Sequence, residues 1–172
     1  MFQKIIRNSI GSDLVIYIFR CLIGFLIGYQ LYLQFPKFEA YWTLLSIILV
    51  ISPEAKDAKR LSVERFKSNL IGSIVGLVCF FIYEPNIYLM LTGIALTVLV
   101  CYFFQLMNVA RTAMVAFVIV TIQEQAQLSS WAAVYRFISV TLGCLIGLSV
   151  TVLTSYLINY LRNKVDLPHE KL

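Results

Sequence analysis

Four arginines, Arg20, Arg65, Arg111 and Arg136, stand in or just inside stretches that are otherwise apolar. A guanidinium is always charged, and its planar fork of donors fits a carboxylate two hydrogen bonds at a time. Carboxylates of the chain's own are scarce around them. Asp13 and Glu64 lie near the ends of apolar runs, Glu39, Glu84 and Glu124 at the breaks between runs, and none lies deep within one. Near the centre of an apolar helix each arginine costs at least about 2.5 kcal/mol on insertion scales, so a partner or an aqueous cavity must compensate it. Excess buried cation without buried anion is what a pathway for anions would show.

Helical spacing turns these charges inward. Arg65, Asn69, Gly72 and Gly76 fall at i, i+4, i+7 and i+11. The cation therefore shares a face with a glycine pair that lets another helix approach closely. Arg20 aligns in the same way with Gly24 and Gly28, and Arg136 with Gly143 and Gly147. Glycine pairs on three helices read first as packing. Because Arg65 and Arg136 stand four or five residues from the expected starts of their helices, reaching out to headgroups is the competing fate for both. Tyr41, Trp42, Trp131 and Tyr135 gather at the outer ends of two runs, with Phe35 and Phe38 nearby. An interfacial aromatic belt explains them, and Tyr41 and Trp42 could also line the mouth of a route for ring-bearing acids.

No catalytic residue, cofactor or metal is expected. The single histidine, His169, lies in the polar tail. No nucleophile elbow, phosphate-binding loop or carboxylate pair is present in the sequence. Cys21, Cys79, Cys101 and Cys144 sit singly in apolar stretches with no CxxC spacing, which reads as small buried hydrophobes.

The elements that must position these groups follow from composition. Of the 172 residues, 60% are hydrophobic and 13% charged. That is too little polar material to surround a soluble core. The chain is expected to be all-α and polytopic, with six transmembrane helices of about 20 residues in the lipid bilayer and no soluble domain. Proline prefers helix ends, so Pro36, Pro53 and Pro85 mark boundaries between spans at 13–35, 39–52, 61–83, 86–105, 110–122 and 131–158. Ser12 or Asp13 would cap the first span, which is retained rather than cleaved as a signal. Spans two and five are short. At about 1.5 Å per residue, about 14 residues reach about 21 Å, against about 30 Å of hydrocarbon.

The second half repeats the first 71 positions on (63 to 134). Val63, Arg65, Phe66, Gly72, Gly76 and Leu77 recur as Val134, Arg136, Phe137, Gly143, Gly147 and Leu148. Three spans per copy would make the second copy enter the bilayer upside down, giving inverted repeats at 13–83 and 84–158 and a basic cytoplasmic tail at 159–172. The two short spans occupy equivalent places, a pattern that points to a central transport site. Lys4, Arg7, Lys56, Lys59, Arg60, Arg111, Arg162, Lys164 and Lys171 then fall on one side, against Lys37 and Arg136 on the other. Positive charge accumulates on the cytoplasmic side, so both termini are expected there. The net charge of +5 thus follows topology, and no nucleic-acid partner is implied.

With those residues in view, the chain resembles the FUSC-like superfamily of fusaric acid resistance proteins and aromatic acid exporters, and more distantly the plant aluminium-activated malate channels. The carrying segments are Tyr41 to Ser46 running on to Ser52-Pro53-Glu54, then Val63 to Phe66 ahead of Gly72 and Gly76, and the echo Tyr135 to Phe137 ahead of Gly143 and Gly147. The resemblance implies a six-helix module of the bacterial inner membrane that exports or conducts organic anions, with Arg65 and Arg136 carried over as site residues. Members of that superfamily often carry a cytoplasmic domain or a second module. Their absence from this sequence leads us to expect a homodimer, because one bundle is small for enclosing an aromatic acid. The rival expectation is a non-transporting assembly subunit of a larger membrane complex.

Overall fold

The computed structural model describes residues 13–35, 40–82, 86–127 and 131–164. Among them lie six α-helices: α1 (Asp13–Gln34), α2 (Tyr41–Val50), α3 (Ala55–Ile82), α4 (Ile87–Phe103), α5 (Ala110–Gln127) and α6 (Trp131–Lys164), with a 3₁₀ turn at Met107–Val109 before α5. Several residues singled out above lie outside the described ones: Lys4, Arg7, Ser12, Pro36, Lys37, Phe38, Glu39, Glu84, Pro85, His169 and Lys171. The same holds for the side chains of Asp13, Glu124, Trp131, Arg162 and Lys164.

Local chemistry accounts for the helix ends. Asn86 caps α4, its side chain accepting from the Ile87 N–H at 2.6 Å, which meets one of the donors that a helix start leaves over. At the other end Gln105 turns left-handed, with φ 55°. The Leu106 N–H then donates to the Cys101 carbonyl at 2.8 Å, a closure typical of a helix stop. Three boundaries differ from the sequence expectation by five residues or more. α3 starts at Ala55 rather than at 61, α5 continues to Gln127 rather than stopping at 122, and α6 runs to Lys164 rather than ending at 158. The edge of an apolar run marks where hydrocarbon would end, not where helix propensity ends. Lys56, Ala58, Lys59 and Arg60 are good helix formers, and Asp57 stands favourably in the first turn of α3. The apolar part of α5 with its lead-in, Met107–Ile122, stays short, and α2 has only 10 residues.

The distribution of polarity is inside-out. Phe103 is 85% exposed, Tyr88 75% and Leu153 73%, whereas Arg20, Ser46, Thr97, Thr151 and Ser155 are wholly buried. Water would penalise that apolar surface, while lipid accepts it and drives polar groups inward. Leu14–Gln34, Ala55–Ile82 and Val134–Tyr160 are each long and apolar enough to cross a membrane. None of the four cysteines is in a disulfide among the described residues, and three of them, Cys79, Cys101 and Cys144, are buried.

The chain divides into two compact units whose boundaries fall inside α3 and α6. The first unites α1, α2 and the opening turns of α3 to Ser62 with α6 from Leu142. The second is Val63–Thr141. In the first, Ile16, Arg20, Gly24 and Gly28 form the buried stripe of α1, and Ile47, Ile51 and Val150 make the core. In the second, Val75, Cys79 and Phe117 do so.

Each unit closes on glycines, and the contacts repeat. In the second, a Cβ on Gly72 would lie 2.6 Å from the Ala113 oxygen and the Ala116 Cβ, and one on Gly76 2.7 Å from Val120. In the first, a Cβ on Gly143 would lie 2.6 Å from the Ser46 Cβ and press on the Thr43 oxygen, and one on Gly147 would lie 3.2 Å from Val50. Thr43, Ser46 and Val50 are 70 positions before Ala113, Ala116 and Val120. Likewise Gly24 meets Ile47, and Gly93 meets Phe117, 70 positions after Ile47. The same spacing of glycine contacts thus recurs about 70 positions on, in helices that share little sequence identity. Within the second unit α3 packs on α5, and within the first α6 packs on α2, so the third helix of each half lies on the second helix of the other.

Candidate functional site

Arg20 is held in the first unit by protein acceptors. Its Nε donates to Thr154 Oγ1 (2.9 Å), Nη1 to the carbonyls of Ser52 (2.9 Å) and Pro53, and Nη2 to Ser155 Oγ (2.7 Å). The first hydrogen bond of α3 runs from the Ala58 N–H to the Glu54 carbonyl. The oxygens of Ser52 and Pro53 thus precede the helical ladder and need an outside donor. Spacing had aimed Arg20 at the glycine stripe of its own helix. It could not reveal that the fork would tie the turn between α2 and α3 to α6. Tyr41 and Trp42 belong to the same unit, Tyr41 exposed and Trp42 half-buried, with ring centroids 4.9 Å apart.

The second unit holds Arg65, Asn69, Arg111 and Arg136. Because α3 begins at Ala55, Arg65 stands ten residues into its helix. That is about 15 Å along the axis, and the expectation of four or five residues is corrected. Arg65 is half-buried, and the neighbouring Glu64 accepts from Asn108 Nδ2 at 3.3 Å on the exposed side. Arg136 keeps its place near the start of α6 yet is only 4% exposed, its Nη1 donating to the Ala116 carbonyl of α5 at 3.2 Å. It is turned into the protein rather than out to headgroups. Arg111, the second residue of α5, is exposed.

One residue beyond each of these two arginines, α3 and α6 touch. The rings of Phe66 and Phe137, equivalent residues of the repeat, lie 5.6 Å apart between centroids. Ser68 and Ser139, a further equivalent pair, are both buried. Farther along α3, Asn69 and Ser73 are each 4% exposed, and Asn69 Nδ2 and Ser73 Oγ have no hydrogen-bond partner. Ser73 escaped the sequence reasoning, although it continues the Arg65–Asn69 row by one more i+4 step.

Helices of membrane length that turn apolar side chains outward and bury polar ones define a multi-pass membrane protein. The chain belongs to the fusaric acid resistance protein-like family, whose model matches residues 16–150. Membership in that family points to membrane transport of the efflux type. The match carries the fusaric acid resistance side of the resemblance and does not reach the malate channels. No curated protein and no solved structure matches the chain.

Proposed function

We propose that this protein exports organic anions, aromatic or other carboxylates, across a bacterial inner membrane, with all six helices crossing as two inverted three-helix repeats. The observation that carries the reading is the meeting of Phe66 with Phe137. A residue touches its own repeat mate only beside an axis that exchanges the two. For inverted repeats that axis lies in the membrane plane, so in this reading Arg65 and Arg136 lie near mid-depth, where transporters hold their substrates. Reciprocal glycine packing, α3 on α5 and α6 on α2, supports the same relation between the halves.

In this reading the guanidinium groups of Arg65 and Arg136 lower the barrier to a carboxylate, with Asn69 beside them. Arg111, exposed at the start of α5, collects anions by its field. Tyr41 and Trp42 offer aromatic surface toward a mouth. Arg20 contributes by position, since its donors are engaged with the Ser52–Pro53 turn and α6. Two copies are proposed to assemble, giving a wider enclosure than one small bundle provides. The test is flux of benzoate and of malate into proteoliposomes holding purified protein. Arg136→Ala should cut flux at least about tenfold, the loss of one charge-assisted contact. Absence of flux with both anions, or flux unchanged by Arg65→Ala and Arg136→Ala, refutes the proposal.

A further inference from the structure

Asn69 and Ser73 present donors to nothing within a closely packed protein. A buried amide or hydroxyl lacking a partner is costly, and a hydroxyl inside a helix ordinarily satisfies itself on the carbonyl four residues back. Thr97, Thr121 and Thr151 all do so here. Ser73 makes no such bond. The direction of both side chains follows from helix geometry. At about 100° per residue, measured from Arg65, Gly72 and Gly76 point about 20° to either side, and Phe66 points about 100° away. The glycines face α5, and Phe66 meets α6. Asn69 at about 40° and Ser73 at about 80° fall between those two directions. Both therefore point toward the junction of α3, α5 and α6 within the second unit. Arg136 reaches that junction from α6, bonded to the carbonyl of Ala116, the residue against which Gly72 packs.

We infer that Asn69 and Ser73 are the neutral half of a carboxylate site whose cationic half is Arg65 and Arg136. The inference rests on the anion-transport reading above and makes it more specific. A carboxylate is acceptor-only, with about four lone-pair positions; a fork fills two of them, and an amide N–H and a hydroxyl stacked at i and i+4 can fill the rest. The two halves of the chain differ at this point. Arg65 and Arg136 are equivalent, but the mates of Asn69 and Ser73 are Val140 and Cys144, both buried. Cations serve both halves, whereas neutral donors extend the site on α3 alone. The neutral donors therefore offer the anion a weaker resting place on the α3 side alone, which keeps it from being trapped between two guanidinium groups.

The experiment measures benzoate flux into proteoliposomes, with thermal stability in detergent, for wild type, Arg136→Ala, Asn69→Asp and the double variant Asn69→Val, Ser73→Cys. The double variant imports side chains that equivalent positions already bury, so it should fold, with a melting temperature at or above that of wild type. Its KM for benzoate should rise about tenfold or more while the amount of folded protein stays the same. Asn69→Asp, which keeps the size but offers a carboxylate to a carboxylate, should weaken benzoate further. A double variant with wild-type KM overturns the inference while flux that depends on Arg136 leaves the transport reading standing. Wild-type protein that passes no benzoate overturns the inference, and wild-type protein that passes no malate either overturns both.

Discussion

Replacing Arg20 by methionine removes a fully buried guanidinium and leaves the carbonyls of Ser52 and Pro53 facing apolar side chain. Each orphaned acceptor costs about 1–3 kcal/mol when buried. The Pro53 contact is only partly buried, which puts its share near the lower end. Thr154 and Ser155 lose an incoming donor, but Thr154 still donates to the Val150 carbonyl at 2.7 Å and is not stranded. Relief of the desolvated charge offsets part of the loss. The sum is about 3 kcal/mol, which at about 2–4 °C per kcal/mol lowers the melting temperature by about 10 °C. Arg20→Lys keeps the charge but lacks the fork, reaching one or two of four acceptors, and should recover less than half of the drop. The assay is thermal unfolding in detergent beside flux in liposomes. A methionine variant that melts with wild type yet passes no anion would show that Arg20 handles cargo and that its four hydrogen bonds hold nothing together.

Gly72→Ala and Gly143→Ala each place a methyl 2.6 Å from a neighbouring Cβ and against backbone. Each should destabilise by about 1–3 kcal/mol in thermal melts, whereas Gly76→Ala meets mainly the movable Val120 side chain and should cost less. In a background without reactive cysteines, membrane-impermeant thiol reagents should label Lys56→Cys and Met107→Cys from one face and Tyr88→Cys from the other; labelling of 56 and 107 from opposite faces refutes six crossings. Arg111→Ala should lower flux a few-fold at low salt and have almost no effect at about 0.5 M salt, because an exposed charge acts through a field that ions screen.

What could be read in the sequence was whatever period and residue type encode. The stripe Arg20, Gly24 and Gly28 is buried as its spacing requires, and so are Asn69, Gly72 and Gly76 beside the half-buried Arg65, since a helix fixes which residues share a face. The repeat was visible in the third helix of each half, where arginine and glycine are constrained by charge and close approach. It was invisible in the second helices, because Thr43 and Ala113, or Ile47 and Phe117, need only present similar surfaces to a glycine and so share no identity. The start of α3 was missed for a different reason: hydropathy reports the environment of a residue, and the opening turns of α3 are helical without being apolar. Partners distant in sequence were beyond reach altogether. Arg20 and Thr154 are 134 residues apart, and no periodicity connects them.

The two kinds of buried arginine separate by what faces them. A cation whose donors are met by carbonyls and hydroxyls of its own unit, as at Arg20, lowers the energy of one arrangement and resists exchange with a passing anion. Arg136 donates to a carbonyl of α5 at a helix junction toward which Asn69 and Ser73 point with donors still to give. Only the second arrangement leaves hydrogen-bonding capacity for something that arrives and departs. Selectivity should then reside in α3, where the halves of the chain differ, and not in the arginines they share. The double variant Val140→Asn, Cys144→Ser tests this: duplicating the neutral donors on α6 should slow release, lowering both the KM and the maximal rate for benzoate in liposome flux. A change in neither would place the discriminating contacts elsewhere.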